Sequence, residues 1–266
     1  MPSHTYTLTI IIPAYNEEQR IGAMLQKYAE YYEQRYVGRY TLLVVLNGCH
    51  DGTERVVQEY QQRYSAVQYL NFSEAIGKGG AIIEGLKAAT GDLVAYTDAD
   101  GSTRPEILDR LCTTLALNPM LDCVIGSRWM KGAVATRRKW KRRLMSAFGH
   151  FFVQLYFRLG IKDTQCGAKV LRRSMIPKIL PHLSISNMAF DVNFLVDIKR
   201  AGGRILEMPI EWEDHPDSTI THPIRTSILT FLSITRLWLL YSPFRFLYPV
   251  LRPLSDFIHR LLVKRS

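Results

Sequence analysis

The sequence predicts an α/β domain built on a mainly parallel sheet flanked by helices, and three observations predict it. Short apolar runs rich in Val, Ile and Tyr alternate with segments of helical periodicity from Thr7 to Arg128, the βαβα order of a parallel sheet. Each run ends at a loop of unusual composition, as expected where ligands gather outside strand C-termini. A hydrophobic content of 47% over 266 residues is ample for the core of such a domain.

Thr7 to Ile12 alternates and then runs apolar into Pro13, a buried first strand that ends in P-A-Y-N-E-E. Asn16 is expected to cap the following helix, which carries Ile21, Met24, Leu25 and Tyr28 on one face. A second strand, Tyr40 to Leu46, runs into N-G-C-H-D-G-T, where Asp51 or Thr53 caps a helix through Tyr64. Val67 to Phe72 is a third strand, and I-G-K-G-G-A then opens a helix ending at Gly91. In that opening Gly77, Gly79 and Gly80 let backbone approach a ligand, the helix start offers free N–H groups, and Lys78 adds a charge.

The chain next enters L-V-A-Y-T-D-A-D-G-S-T-R-P, Leu93 to Pro105. This strand is expected to deliver Asp98 and Asp100 to a loop with both carboxylates turned the same way, because strand side chains alternate with period two. Two hard oxygen ligands suit Mg²⁺ or Mn²⁺, since Mg²⁺ keeps several waters and takes only one or two protein carboxylates. The same residues also fit an Asx turn capping the helix from Pro105 to Asn118. The strand D-C-V-I-G-S-R follows, with Ser127 and Arg128 at its end.

Composition then changes. Arg137 to Arg143 reads R-R-K-W-K-R-R, and the helical segment Leu144 to Leu159 carries Phe148, Phe151, Phe152, Tyr156 and Phe157. That pairing suits an amphipathic element resting in a membrane interface; a basic rim on an ordinary core helix is the plainer reading. Ile161 to Lys169 is a loop entering a strand, Phe190 to Arg200 a helix ended by Ala201, Gly202 and Gly203, and Arg204 to Trp212 the last strand. In the tail, Ile224 to Val263, the longest uncharged run is Thr226 to Thr235, short of the roughly 18 to 20 residues of a spanning helix. We therefore expect residues 1–222 to form the α/β domain, with a membrane-facing helix at 137–160, and 223–266 an amphipathic tail. Its apolar surface suits either a bilayer or an oligomer contact.

Lys and Arg total 34 against 24 Asp and Glu, a formal charge of +10 that favours an anionic partner: nucleic acid, nucleotide sugar or membrane surface. The basic residues gather beside Phe and Trp with no recognisable reading module, so nucleic acid is disfavoured. Cys49, Cys112, Cys123 and Cys166 stand far apart without Cys-x-x-Cys, against structural zinc and disulfides and in favour of a reducing compartment. No signal peptide is visible before the first strand, so a peripheral position on the cytoplasmic face of a membrane is expected. There is no Walker A spacing and no G-x-G-x-x-G with a suitable downstream acid.

Together, I-I-I-P-A-Y-N-E-E, N-G-C-H-D-G-T, G-K-G-G-A, T-G-D-L-V-A-Y-T-D-A-D-G-S and G-S-R resemble, in order and spacing, the family 2 glycosyltransferases of GT-A fold. D-T-Q-C-G-A-K, F-D-V-N and E-M-P-I-E-W narrow the resemblance to polyprenyl-phosphate hexosyltransferases, especially the dolichyl-phosphate β-glucosyltransferase branch, over Thr7 to Trp212. The resemblance implies that Pro13, Ala14, Tyr15 and Glu17 line a nucleoside pocket. It sets Lys78 near the base or diphosphate, Asp98 near the ribose and the metal-bound diphosphate, and Asp100 on the metal. Ser102 stands where relatives carry another possible ligand, often Gln. Arg128, with Arg142 or Arg143, would hold the acceptor phosphate, and Asp163 to Lys169 would border sugar and acceptor, although Asp163 also suits a turn cap.

Three departures bear on specificity rather than fold. Leu46-Asn47-Gly48-Cys49 replaces the usual Asp-Asp-Gly-Ser, so Asn47 accepts a hydrogen bond from a base without bringing charge. Asn193 stands for the Glu of F-D-V-E, and Ser218-Thr219 for Ser-Lys. The implied reaction is inverting, metal-dependent transfer of a hexose from a nucleotide sugar, UDP-glucose first, to a polyprenyl or dolichyl phosphate. GDP-mannose as donor and a non-lipid acceptor are the alternatives.

Overall fold

The computed structural model, which describes residues 5–135, 140–212 and 223–249, is organised by one seven-stranded sheet. Its first half alternates as expected: β1 (Leu8–Ala14), α1 (Ile21–Tyr36), β2 (Tyr40–Asn47), α2 (Thr53–Arg63), β3 (Val67–Phe72), α3 (Gly77–Ala88), β4 (Leu93–Tyr96), α4 (Pro105–Leu117) and β5 (Cys123–Ser127). After β6 (Val134–Ala135) come α5 (Trp140–Phe157), β7 (Lys169–Arg172), α6 (Ile176–Ile179), α7 (Phe190–Arg200), β8 (Ile205–Pro209), β9 (Glu211–Trp212) and α8 (Pro223–Tyr241). The strand order is β3-β2-β1-β4-β7-β5-β8, parallel except for β7, which runs against both neighbours. The chain builds outward from β1 on one side and returns to pair β4 on the other, so β1 and β4 flank the switch point where ligands of open α/β sheets bind.

Period-two alternation in β1 assigns the two cores. Ile10 and Ile12 face α1, α2 and α4, meeting Met24, Val57 and Leu108, whereas Ile11 faces the opposite layer with Ile82, Phe194 and Leu237. All three isoleucines are buried, each side chain contributing about 2 kcal/mol on transfer from water. The second layer comprises α3, α5, α7 and α8. Within it Phe152 meets Phe231 edge-on at 4.8 Å, and Tyr156 stacks on Trp238 at 5.1 Å. Tyr241 donates to Asp197 Oδ1 at 2.6 Å, closing the end of α8 onto α7. Ile234 and Leu237 thus set the start of the tail into the same core as the sheet.

Two local expectations are corrected. Asn16 does not cap α1; it adopts a positive φ of 52°, and its Oδ1 accepts from His50 N at 2.9 Å, tying the first loop to the second. Arg204 to Trp212 is two strands, because at Ile210 the chain leaves β8 and β9 pairs instead with β6. Among the described residues no helix is long and apolar enough to cross a membrane. The tail beyond Pro249, the side chains of Arg142 and Arg143, and Ser218 with Thr219 lie outside the described residues.

Candidate active site

Loops from four strand ends converge beyond the switch point. The acid loop leaves β4 at Tyr96, two residues before Asp98, so strand alternation does not align the doublet as expected. A turn replaces it: Gly101 has a φ of 75°, and Ser102 N donates to Asp100 Oδ1 at 2.9 Å, realising the Asx alternative. From below, Tyr28 donates to Thr103 O at 2.8 Å and Tyr32 to Pro105 O at 3.3 Å, so buried hydroxyls of α1 fix this loop.

Asp98 is gripped on both oxygens. Lys78 Nζ lies 2.6 Å from Oδ1, and Gly167 packs against Oδ2 so tightly that a Cβ at that position would overlap it. Burial works against the Lys78 charge, but Asp98, Asp191 and Asp100 outweigh it and raise its pKa. Glu17 joins the same field. Its carboxylate accepts from Arg20 Nε at 2.7 Å, while burial, opposed by Arg20 and reinforced by Asp100 and Asp98, pushes its pKa up. Glu17 N accepts support from Thr53 by donating to Oγ1 at 2.8 Å, and Asp51 Oδ1 in turn receives the Thr53 N–H at 3.0 Å.

The glycines at the start of α3 serve a different purpose from the expected one. Gly79 N donates to Ser186 O at 2.7 Å and Gly80 N to the same oxygen at 3.3 Å, so the helix start is capped by the chain itself. A Cβ at Gly79 would lie 2.5 Å from Ile185 O and from Phe190 Cβ; close approach is to the α7 entry, not to a ligand. Asn47 is similarly engaged: buried, with Oδ1 accepting from Ile76 N at 2.7 Å, it ties β2 to α3 rather than presenting that oxygen to a base. Pro13 and Ala14 close β1, Ala14 buried, and Tyr15 beyond them is 44% exposed at the rim.

Arg128 and Asp163 meet as a closed pair. Arg128 donates through Nε to Oδ2 at 2.7 Å, through Nη2 to Oδ1 at 2.8 Å and through its backbone N to Oδ2 at 2.9 Å. The guanidinium carbon lies 5.2 Å from the Trp212 ring centre, and Asp163 N donates to Glu207 Oε1 at 2.7 Å. Burial opposes the Asp163 charge, yet the hydrogen bonds and charge of Arg128 hold its pKa below the usual carboxylate range. Asp163 thus takes the Nε, one Nη2 hydrogen and the backbone N–H of Arg128 and fixes the plane of its guanidinium.

Lys169, expected at the border of sugar and acceptor, is instead fully buried. Its Nζ donates to Asp191 Oδ1 at 2.6 Å and to Cys166 O at 2.5 Å, and Asp191 Oδ1 also accepts from Tyr96 at 2.7 Å. This network was missed, as were Glu207 and Trp212. A lysine between Ala168 and the apolar Val170-Leu171 was the available signal. Asn193 turns inward too, accepting from Ser184 N at 3.0 Å and Ile185 N at 3.2 Å to shape the segment that caps α3.

Asp98 and Asp100 supply hard oxygen donors, and Ser102 Oγ is a buried hydroxyl with no hydrogen-bond partner among the described residues. That set fits a divalent cation taking one or two carboxylates and completing its shell with ligand and water oxygens. Among the described residues no group of three or more His, Cys, Asp or Glu side chains gathers into a denser site.

The profile of the family described as Glycosyl transferase family 2 matches residues 9–180. A Drosophila melanogaster protein named dolichyl-phosphate beta-glucosyltransferase is 34% identical, covering 82% of this chain and 71% of the relative. A Homo sapiens protein of the same name is 32% identical over 80% of this chain and 69% of the relative. A Trichomonas vaginalis protein of that type is 34% identical over 78% and 66%. The chain thus spans about two thirds of the length of these relatives, between 66% and 71%. Among solved structures, mannosyl-3-phosphoglycerate synthase from Rubrobacter xylanophilus superposes with a TM-score of 0.67 at 19% identity, covering 88% of this chain and 74% of that one. Glucosyl-3-phosphoglycerate synthase from Mycobacterium tuberculosis, solved with Mn²⁺, uridine diphosphate and glucosyl-3-phosphoglycerate, gives 0.63 at 17% identity, covering 86% and 80%. At that identity the likeness extends to the fold, a mainly parallel sheet between helical layers.

Proposed function

The chain belongs to glycosyl transferase family 2, and from that premise we propose that it transfers glucose from UDP-glucose to dolichyl phosphate or a related polyprenyl phosphate, with inversion. The observation that carries this reading is the Lys78–Asp98 pair with Asp100 two residues on, a cation and two carboxylates at the β1/β4 switch point where open α/β sheets bind ligands. The names of the relatives support the sugar and the acceptor.

Asp98 and Asp100, with Ser102 beside them, would hold Mg²⁺ or Mn²⁺, which when bound neutralises charge on the donor diphosphate. Lys78 adds a fixed ammonium for the departing diphosphate oxygens, and the exposed Tyr15 ring offers a face to the nucleoside. Glu17 and Asn47 shape that pocket through the hydrogen bonds described above, with Pro13 and Ala14 beside them at the end of β1. The acceptor phosphate is mostly ionised near pH 7, its second pKa being about 6, so it attacks the anomeric carbon without a strong general base. One of its oxygens forms the new bond to C1 as the bond from C1 to the diphosphate oxygen breaks. An α-linked donor therefore yields a β-linked product.

Arg128 is the phosphate-binding candidate on the acceptor side, oriented by Asp163; Arg143 is its partner from the basic segment. The reaction surface is a membrane on its cytoplasmic face, to which the protein binds peripherally. Support comes from Phe151, Leu155, Ile228, Phe244, Phe246 and Leu247, all exposed along α5, α8 and the turn after it, and from four free cysteines, as in a reducing compartment. In this division residues 1–222 carry the chemistry and a membrane-facing helix at 137–160, and 223–266 the amphipathic tail, whose α8 is anchored in the core through Ile234 and Leu237.

The test is a donor screen with dolichyl and undecaprenyl phosphate in detergent and Mn²⁺, reading glycolipid by mass. UDP-glucose should give a glucosyl lipid, lost with a chelator or in Asp100→Ala. Product from GDP-mannose alone, or only from a soluble phosphorylated acceptor such as 3-phosphoglycerate, would replace this reading with the corresponding transferase.

A further inference from the structure

The residues behind Asp98 form a series of alternating charge. Lys78 holds one Asp98 oxygen at 2.6 Å, and Gly167 backs the other. One residue earlier Cys166 O accepts from Lys169 Nζ at 2.5 Å; Lys169 binds Asp191 at 2.6 Å; and the Asp191 charge acts back on Lys78. The series joins four separate parts of the sequence: the start of α3, the acid loop after β4, the loop into β7 with its first residue Lys169, and the first turn of α7. Gly79 brings α3 and α7 close enough for that, since its Cα lies against Phe190, the neighbour of Asp191.

A buried ion pair is a poor source of stability, because well-packed apolar side chains of equal size usually do as well or better. The Lys169–Asp191 pair nevertheless occupies the core directly beneath the one strand that delivers the acid loop, with Lys169 opposite Tyr96 in register. Lys78 thereby stands in the field of two carboxylates, its partner Asp98, partly exposed, and Asp191, buried on the neighbouring α7. A lysine has a flexible four-carbon stem and keeps its position only where neighbours hold it.

We propose that Asp191 is a positioning residue for transfer: fixed by Lys169 and Tyr96, it holds the Lys78 ammonium in place when a donor diphosphate competes with Asp98 for that ammonium. The inference rests on the reading of Lys78 as the diphosphate-binding cation. It explains why charges are retained in the core here: the pair acts on the site through Lys78 and touches no substrate itself.

The experiment is a mutant cycle on the full chain. Asp191→Asn combined with Lys169→Met leaves no buried charge unpaired, so its melting temperature should stay near that of the wild type. Transfer from UDP-glucose should nevertheless drop about tenfold in kcat, a size typical of small misplacements in a site, with the donor KM changed by less than about threefold. In a Lys78→Met background the same double change should cost nothing further, since coupled residues are not additive. A folded double variant with wild-type kcat, or equal losses in both backgrounds, would overturn the proposal.

Calorimetry of UDP with Mn²⁺ supplies a second arm that needs no acceptor. The cycle between Lys78→Met and the double change should there show about fivefold coupling in affinity, and additivity overturns it. If the wild type makes no glycolipid, the transfer reading fails while this arm still decides the role of Asp191. Should the double variant not fold, Tyr96→Phe replaces it in the same cycle; it removes one hydrogen bond to Asp191 and should show about twofold coupling, with none sinking the idea.

Discussion

Lys78–Asp98 and Lys169–Asp191 are the same chemical pair at the same 2.6 Å, in opposite surroundings. The first has side chains 20% and 32% exposed at the rim of the site; the second has 0% and 2%, sealed in the core. Separation therefore says nothing about role. A rim pair can exchange partners with a ligand, because water and ligand reach both charges. A sealed pair cannot exchange, and it acts by fixing what lies above it.

The sharpest way to break this contrast is to remove one partner from each. Asp98→Asn takes away a rim carboxylate that water can replace. Transfer should fall about a thousandfold, close to 4 kcal/mol in the barrier, with the melting temperature nearly unchanged. Lys169→Met alone leaves Asp191 without its main counter-ion in the core. Denaturant unfolding should show a loss of about 3 kcal/mol. If Asp98→Asn unfolded the protein and Lys169→Met were neutral, the assignment of open and sealed roles would be reversed.

How far the sequence foretold these two pairs follows from what local pattern encodes. β1 to β5 were legible because buried strands such as Ile10 to Ile12 and faces such as Met24, Leu25 and Tyr28 announce themselves within one or two turns. The acidic doublet was legible as chemistry but not as geometry: the strand stops at Tyr96, and a turn, not alternation, sets Asp100. Lys169 and Asp191 were illegible as partners. They lie 22 residues apart on different elements, and only packing of α7 against the sheet brings them together. The α3 glycines were half legible. Lack of a Cβ reveals that something comes close, and whether that is phosphate or the Ser186 carbonyl is a tertiary fact.

Arg128–Asp163 stands between the two extremes, with side chains 9% and 3% exposed. Its pH dependence sharpens the comparison. The folded pKa of Asp163 is lowered, with burial opposing and Arg128 prevailing. The pair's stability is thus fully present above the unfolded carboxyl pKa of about 3.9 and is lost as pH falls through the folded value. Asp163→Asn should cost about 2 kcal/mol at pH 7, and the gap to the wild-type melting curve should begin to narrow below about pH 4 and close only as pH falls through the lower folded value. A constant gap from neutral to acid pH would mean that the carboxylate charge contributes nothing.

The smallest expected effect carries the contrast from charges to apolar side chains. Phe152 is packed against Phe231, Tyr156 and Phe151, whereas Phe246 on the turn after α8 is 67% exposed. Removing a ring already in water costs the fold little, so Phe246→Ser should leave the melting temperature unchanged. If that ring enters a bilayer, its loss removes about 1.5 kcal/mol of transfer free energy, and partition onto anionic vesicles should drop about tenfold in a flotation assay. Phe152→Ala should do the opposite, lowering the melting temperature first because it leaves a cavity between α5 and α8. Equal flotation by wild type and Phe246→Ser would show that this exposed aromatic face meets something other than lipid.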